Sequence, residues 1–217
     1  MSNRPLLLGH RGARATRSVP ENTIASFDLA LEHGCDGFEF DVRLTGDGRA
    51  VLCHDPKVEG TEVARAHAGE LGQLPRLEDV VRRYQGSAFL DIELKVGGLE
   101  RWVAAALKTP SQAHGYVVSS FLPGVLQELR ALDSGIPLGL IADRAEELTR
   151  WRDLAVDYVI LNQKLVNQEL IERVHGAGKK LFVWTVNDRE AMLRFTDWGA
   201  DAIISDDTEL LARTVGK

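Results

Sequence analysis

Hydrophobic positions along this chain fall into short blocks that alternate between two periods. Compact apolar runs read as buried strands, and the segments between them carry apolar residues at i, i+3 and i+4, the helical spacing. Leu6 to Gly9 is the first such run. A helix follows, with Asn22 as its predicted cap and Ile24, Phe27 and Leu31 as its apolar stripe, closed by His33-Gly34. Gly37 to Val42 is the second strand. Thr45 to Gly48 reads as a turn, and Arg49 to Cys53 returns as an extended segment ending at His54. Residues 55–75 show no persistent period and read as a short loop-like insertion. Pro75 is predicted to open a helix that runs through Tyr84.

Beyond that point the alternation is regular. Strands are predicted at Ala88–Leu94, Tyr116–Ser119, Leu138–Ile141, Tyr158–Leu161, Leu181–Trp184 and Ala202–Ile204. Helices are predicted at Leu99–Leu107, Val125–Leu132, a stretch through Trp151, Asn167–His175, Asp188–Trp198 and Asp207–Thr214. Eight β-then-α units with short connections call for a parallel sheet covered by helices. Eight units can close into a (β/α)8 TIM barrel, and 217 residues lie near the lower limit for that fold. The whole chain, 1–217, is expected to be one barrel domain. An open doubly wound sheet is the alternative, but no glycine-rich phosphate loop supports it.

Composition narrows the picture. With 44% hydrophobic and 27% charged residues this is an ordinary globular chain. A net charge of −6 argues against a nucleic-acid partner, which needs a clustered basic face. No apolar run approaches the roughly 20 residues of a membrane span. Leu6-Leu7-Leu8 is too short for a signal-peptide core, so a cytoplasmic location is expected. The two cysteines, Cys35 and Cys53, lack metal-site spacing and read as small buried thiols.

The chemistry begins in the second strand. Glu39 and Asp41 stand two residues apart, so they share one face, while Phe38, Phe40 and Val42 share the other. Adjacent carboxylates on a half-buried strand repel each other and lose hydration, so a cation is expected between them. From this hexapeptide alone, an exposed edge strand with its polar face in water stays open. The third barrel strand repeats the pattern with Asp91, Glu93 and Lys95 on one face. In TIM barrels the chemistry sits at the C-terminal ends of the strands. Glu39, Asp41 and Glu93 there make an all-oxygen set suited to a hard divalent cation, Mg²⁺ or Ca²⁺. Arg11 and Lys95 add fixed positive charge at the same mouth, which suits a phosphate. His10 and His54 are placed for acid–base work near neutral pH. Asp91, deeper on its strand, is expected to orient a neighbour. Trp184 reads as a substrate wall, and Ser120 as a contact to water or ligand. Asp206, with Glu209 three residues on, reads as a capping box.

These residues also fall into blocks. Gly9-His10-Arg11-Gly12, Pro20-Glu21-Asn22-Thr23, Glu39-Phe40-Asp41-Val42, His54-Asp55 and Glu93-Leu94-Lys95 come in that order. Val118 to Phe121, Val183 to Asn187 and Ile204-Ser205-Asp206 follow them. Together they resemble the glycerophosphodiester phosphodiesterases, from about residue 6 to 210. The resemblance implies a metal-dependent barrel enzyme that hydrolyses glycerophosphodiesters to sn-glycerol 3-phosphate and an alcohol. It implies a metal at Glu39, Asp41 and Glu93, a catalytic pair His10 and His54, and phosphate contacts from Arg11 and Lys95. The chain departs from the family after His54-Asp55, where an Arg-Thr-Thr-Gly-like stretch and a small helical insertion are usual. Here Pro56-Lys57-Val58-Glu59-Gly60 follows, and the insertion is reduced. A more open mouth that tolerates varied alcohols is expected. Rival readings are a lysophospholipid phosphodiesterase barrel, phospholipase D-like, that releases a cyclic phosphate, and a barrel that binds glycerophosphodiesters without catalysis. A monomer or weak homo-oligomer is expected.

Overall fold

The computed structural model describes residues 4–108 and 114–216. Strands β1 (Leu6–His10) and β2 (Gly37–Leu44) flank helix α1 (Ile24–Glu32). Strand β3 (Ala50–Leu52) turns back antiparallel onto β2, pairing Val42 with Leu52. A small hairpin, β4 (Lys57–Val58) with β5 (Thr61–Glu62), comes next, then α2 (Leu77–Tyr84). The regular part follows: β6 (Phe89–Leu94), α3 (Glu100–Ala106), β7 (Tyr116–Ser120), α4 (Pro123–Leu132), β8 (Leu138–Ala142) and β9 (Tyr158–Asn162). Helix α5 (Gln168–Gly176), β10 (Lys180–Trp184), α6 (Arg189–Asp197), β11 (Ala202–Ser205) and α7 (Thr208–Val215) complete it.

Eight of these strands are mutually parallel in the order β1, β2, β6, β7, β8, β9, β10, β11, and β11 pairs back onto β1. The sheet is closed, a TIM barrel. Alternation along each strand divides the side chains between two compartments. Phe38, Phe40 and Val42 of β2 and Leu90, Ile92 and Leu94 of β6 face the layer between strands and helices. There Phe27 of α1 stacks on Phe38 with ring centroids 4.2 Å apart, and Tyr84 meets Phe38 edge-on. Leu8, Phe89, Val117, Ile160 and Phe182 form a separate cluster inside the barrel. Two glycines permit close approaches on which the site depends. A Cβ at Gly37 would lie 1.9 Å from the Phe89 carbonyl oxygen, so only glycine lets β2 and β6 meet there. Gly12, at φ 83°, turns the chain past Ser26 with no room for a side chain.

Four local expectations change. Thr23, not Asn22, caps α1, accepting from the Ser26 amide at 3.2 Å. Helix α2 starts two residues beyond Pro75, because Pro75 and Arg76 are held extended against β3. Residues 55–75 are not featureless: Val63, Ala66 and Leu71 fold over Val51 and Cys53 as a small apolar cluster under the β4–β5 hairpin. The stretch through Trp151 forms two 3₁₀ turns, Ala145–Glu147 and Arg150–Arg152, rather than an α-helix. Its apolar residues Leu148, Trp151 and Leu154 repeat every third position, which matches three residues per turn.

Candidate active site

The N-terminal end of the barrel is held together by one device used three times. Asp36, Asp157 and Asp201 each precede a strand, and each accepts the backbone N–H of a neighbouring strand: Leu7, Leu138 and Leu181 respectively, at 2.8–2.9 Å. Each is also paired with a cationic or imidazole side chain, Arg4, Arg130 or His175. This face serves stability. The opposite, C-terminal face carries the candidate site.

There a cavity of about 230 Å³ opens among His10, Arg11, Glu39, His54, Glu93 and Lys95. Strand register explains the grouping. Glu39 pairs with Asp91 and Asp41 with Glu93 across β2 and β6, so two inward-facing acids from each strand lie side by side. Glu39, Asp41 and Glu93 bring carboxylate oxygens within 4.8 Å of one another. All three are buried, at 4%, 1% and 8% exposure. They do not share one electrostatic state. Burial pushes Glu39 well above the usual carboxylate range, and the neighbouring Asp41, Glu93 and Asp91 push it the same way. Burial and Asp41 carry Glu93 up to about 7 against the pull of Lys95. Burial also takes Asp91 up to about 7, although Ser119 donates to it at 2.6 Å. Burial opposes ionisation of Asp41 too, but Lys95, Arg11 and the Asn22 amide outweigh it and hold that acid below its usual range.

The counter-charges are built in. Lys95 Nζ lies 2.6 Å from Glu93 Oε1 and 3.3 Å from Asp41 Oδ1. Arg11 Nε lies 3.1 Å from Asp41 Oδ2, and its Nη1 donates to Glu21 Oε1 at 2.8 Å. Arg11 sits at φ 54°, and its backbone N–H donates to Glu39 Oε2 at 3.0 Å. Asn22 clamps Asp41 from both sides: its amide nitrogen donates to Oδ2 at 2.9 Å, and its oxygen accepts the Asp41 backbone N–H at 3.1 Å. Four acids thus meet two fixed cations, and Glu39 Oε1 is buried without a donor. A hard divalent cation fits this donor set, because it supplies the positive charge that the buried acids lack.

The histidines stand at the same mouth. His10 ends β1; its Nδ1 is 2.7 Å from Asp206 Oδ1, and its Nε2 is 3.9 Å from Glu39 Oε2. Burial opposes ionisation of Asp206, yet His10, Asn187 and Arg14 hold it far below the usual range. An ionised Asp206 accepts a hydrogen bond from Nδ1–H, so Nε2 is the nitrogen that faces the cavity. Asn187 donates to Asp206 Oδ2 at 2.7 Å and fixes the carboxylate in turn. His54 is carried by the segment after β3, which is tied to β2 by the Cys53 N–H to Asp41 carbonyl bond at 3.0 Å. Its Nδ1 is 2.7 Å from Asp55 Oδ1. Burial lowers the His54 pKa, against the opposing pull of Asp41 and Asp55.

Not every expected residue reaches the cavity. Ser120 is fully buried, its hydroxyl donating to the Leu94 carbonyl at 2.8 Å and accepting from the Leu122 amide, so it braces β6 and the α4 entry instead of meeting a ligand. Trp184 does line it, with its indole N–H donating to the Ile160 carbonyl at 3.3 Å. Asp206 does not cap α7; Asp207 does, accepting from the Leu210 amide at 2.9 Å. Two adjacent acids were the available signal: one serves the helix and the other is free for the site. Asn22 and Asn187 escaped sequence reasoning because each acts on a residue distant in the chain.

The family model described as the glycerophosphoryl diester phosphodiesterase family matches residues 10–85 and 99–210. A glycerophosphodiester phosphodiesterase from Caldanaerobacter subterraneus subsp. tengcongensis is 32% identical, over 98% of each chain. An Oleispira antarctica phosphodiesterase, solved in complex with the product sn-glycerol-3-phosphate, superposes with a TM-score of 0.85 at 26% identity, covering 99% of this chain and 98% of that one. A glycerophosphodiester phosphodiesterase structure from Parabacteroides distasonis shares the fold, with a TM-score of 0.88 at 23% identity, over all of this chain and 98% of the other. Fold and site together therefore define a TIM-barrel phosphodiesterase. The chain belongs to the glycerophosphoryl diester phosphodiesterase family.

Proposed function

We propose that this protein hydrolyses glycerophosphodiesters to sn-glycerol 3-phosphate and an alcohol, with a divalent cation, Mg²⁺ or Ca²⁺, held by Glu39, Asp41 and Glu93. One observation carries the reading. Two fixed cations, two histidines and the buried acids Glu39 and Glu93 line a single cavity, and Asp41 brings a third carboxylate within 4.8 Å of those two. The product named in the Oleispira antarctica complex supports the substrate class. When bound, the cation supplies charge neutralisation at a non-bridging phosphate oxygen.

The chain's own groups do the rest. Arg11 and Lys95 hold the phosphate and offset charge as it builds on the equatorial oxygens. One histidine takes a proton from the attacking hydroxyl, and the other gives a proton to the departing alkoxide, so the reaction ends proton-balanced. Asp206 keeps the His10 ring turned so that Nε2 meets the reacting atoms. The attacking group is water, or the neighbouring glycerol hydroxyl through a cyclic phosphate that water then opens. The second route accounts for a glycerol requirement, and phosphorus NMR of the early products separates the two. A cytoplasmic location belongs to the same reading and rests on two free, buried cysteines, Cys35 and Cys53, which suit a reducing compartment.

The test is release of glycerol 3-phosphate, measured after EDTA treatment and again after separate restoration of Mg²⁺, Mn²⁺ and Ca²⁺. Activity lost with EDTA and regained with one of these ions is the expected result. Turnover indifferent to EDTA would remove the metal from the reading, and no glycerol 3-phosphate under any condition would remove the activity.

A further inference from the structure

Two carboxylates brace the mouth of β1, and one side chain joins them. Glu21, three residues before α1, accepts from Arg11 Nη1 through Oε1 at 2.8 Å. Asp206, just past the end of β11, accepts from His10 Nδ1 through Oδ1 and from Asn187 through Oδ2, both at 2.7 Å. Arg14 reaches both acids. Its Nε donates to Glu21 Oε2 at 2.6 Å, and its Nη1 donates to Asp206 Oδ1 at 3.1 Å. The contacts run in one line from His10 through Asp206, Arg14 and Glu21 to Arg11. A planar guanidinium can meet two separate carboxylates at once and fix the spacing between them, which the point charge of a lysine cannot.

The backbone around Arg14 is anchored on both sides. The Ala13 N–H donates to the Ser26 carbonyl of α1 at 3.0 Å, and the Ala15 N–H donates to the Asp206 carbonyl at 2.9 Å. The turn that presents Arg14 is therefore tied to α1 and to Asp206 itself. Burial opposes ionisation of Glu21, but Arg11 and Arg14 hold it below its usual range, so the bridge is charged at both ends. The Arg14 and Glu21 side chains are 40% and 36% exposed. Pairs so exposed add little to stability, so this one matters through the geometry it imposes. In sequence Arg14 lies outside the two blocks that flank it, Gly9-His10-Arg11-Gly12 and Pro20-Glu21-Asn22-Thr23.

We infer that Arg14 is a positioning residue for two groups at once, setting the His10 imidazole and the Arg11 guanidinium relative to each other across the mouth of β1. The inference rests on the proposed hydrolysis of glycerophosphodiesters, in which His10 moves a proton and Arg11 holds the phosphate. Loss of Arg14 then reaches kcat through Asp206 and KM through Glu21. The effect on KM is the smaller one, because Arg11 keeps its contact with Asp41.

The experiment measures kcat and KM for glycerol 3-phosphate release from sn-glycero-3-phosphoglycerol, with the melting temperature of each protein. Wild type is compared with Arg14→Met, Arg14→Lys, Glu21→Gln and the double variant Arg14→Met/Glu21→Gln. Arg14→Met keeps the apolar stem and loses the fork. It should lower kcat about tenfold and raise KM about two- to fivefold, while the melting temperature holds. Arg14→Lys keeps the charge but reaches one acid at a time, so it should restore kcat or KM and not both. Glu21→Gln should raise KM; adding Arg14→Met to it should lower kcat further and leave KM where it stands. Wild-type kcat and KM in Arg14→Met or in Arg14→Lys, or KM changes that multiply in the double variant, overturn the inference and leave the hydrolysis standing. So does a loss of kcat that only tracks a fall in melting temperature. No glycerol 3-phosphate from the wild type overturns both.

Discussion

His10 Nδ1 lies 2.7 Å from Asp206 Oδ1, a contact that spans 196 positions of sequence and closes the first strand of the barrel onto the last. Asp206 is in turn held by Asn187 and Arg14, so the carboxylate cannot swing away from the ring. The pair orients the His10 ring and sets its tautomer, as a carboxylate partner does for other functional histidines. Asp206→Ala is therefore expected to lower kcat roughly 10²-fold, with a smaller effect on KM. The pH–rate profile should lose one limb or shift it, while circular dichroism stays native. A variant with wild-type kcat and an unmoved profile would make the contact purely structural.

In the proposed mechanism the two histidines perform opposite proton transfers, and the leaving group can tell them apart. His10→Ala and His54→Ala should each reduce turnover of a natural glycerophosphodiester by roughly 10²–10⁴-fold. A p-nitrophenyl ester of glycerol phosphate leaves without a proton, so it bypasses the donor. Stopped assays with that ester should rescue one variant and not the other. Rescue of both, or of neither, contradicts the division of labour.

The acid cluster makes metal-free stability depend on pH in an unusual direction. Glu39, Glu93 and Asp91 have folded-state pKa values raised above their ordinary ones, the latter two to about 7. A raised carboxyl favours the folded state while it is protonated, and that contribution is lost as pH rises through the folded value. In EDTA, the melting temperature should thus fall between about pH 5 and pH 7.5. Saturating Mg²⁺ or Ca²⁺ should cancel the fall by neutralising the same acids. Glu39→Gln should flatten the EDTA curve and weaken the metal-induced rise. A melting temperature that climbs over this window in EDTA would argue against buried, uncompensated acids.

Asp41 behaves differently, because it is the acid that holds Arg11, Lys95 and Asn22 in place. Asp41→Asn should abolish measurable Mg²⁺ or Ca²⁺ binding by calorimetry. It should also lower activity beyond what extra metal restores, since both cations proposed to hold the phosphate lose their anchor. Far-ultraviolet dichroism should still report a folded barrel. Wild-type metal affinity in this variant would exclude Asp41 from the ligand set.

At the opposite face, Asp157 accepts the Leu138 amide and pairs with Arg130, far from any reacting group. Asp157→Ala leaves that backbone N–H without its partner and should cost about 1–3 kcal/mol in urea unfolding. kcat and KM should be unchanged. A loss of activity without a loss of stability would contradict the assignment of this face to stability.

How much of this was legible in the chain follows from the range over which each force acts. Strand alternation is local, so Glu39 with Asp41 and Asp91 with Glu93 could be assigned to one face each from spacing alone. Eight alternating units likewise pointed to a closed parallel sheet, and the structure has one. What spacing could not decide was which side of each strand faces inward at what height, and so which acid meets which. That is set by register, which places Asp41 beside Glu93, and by Gly37, which lets the two strands approach. Local patterns were also ambiguous where two roles compete for one residue type. Asn22 could cap a helix or clamp an acid, and Ser120 could face a ligand or brace a strand; packing chose the second role for both. Asp206 and Asp207 are indistinguishable as neighbours in sequence, yet one caps α7 and the other holds His10. The sequence by itself determined the period of the elements, the inventory of acids, cations and histidines, and the family to which they belong. Only the tertiary structure decided their partners, because closing the barrel brings together residues that no local rule connects.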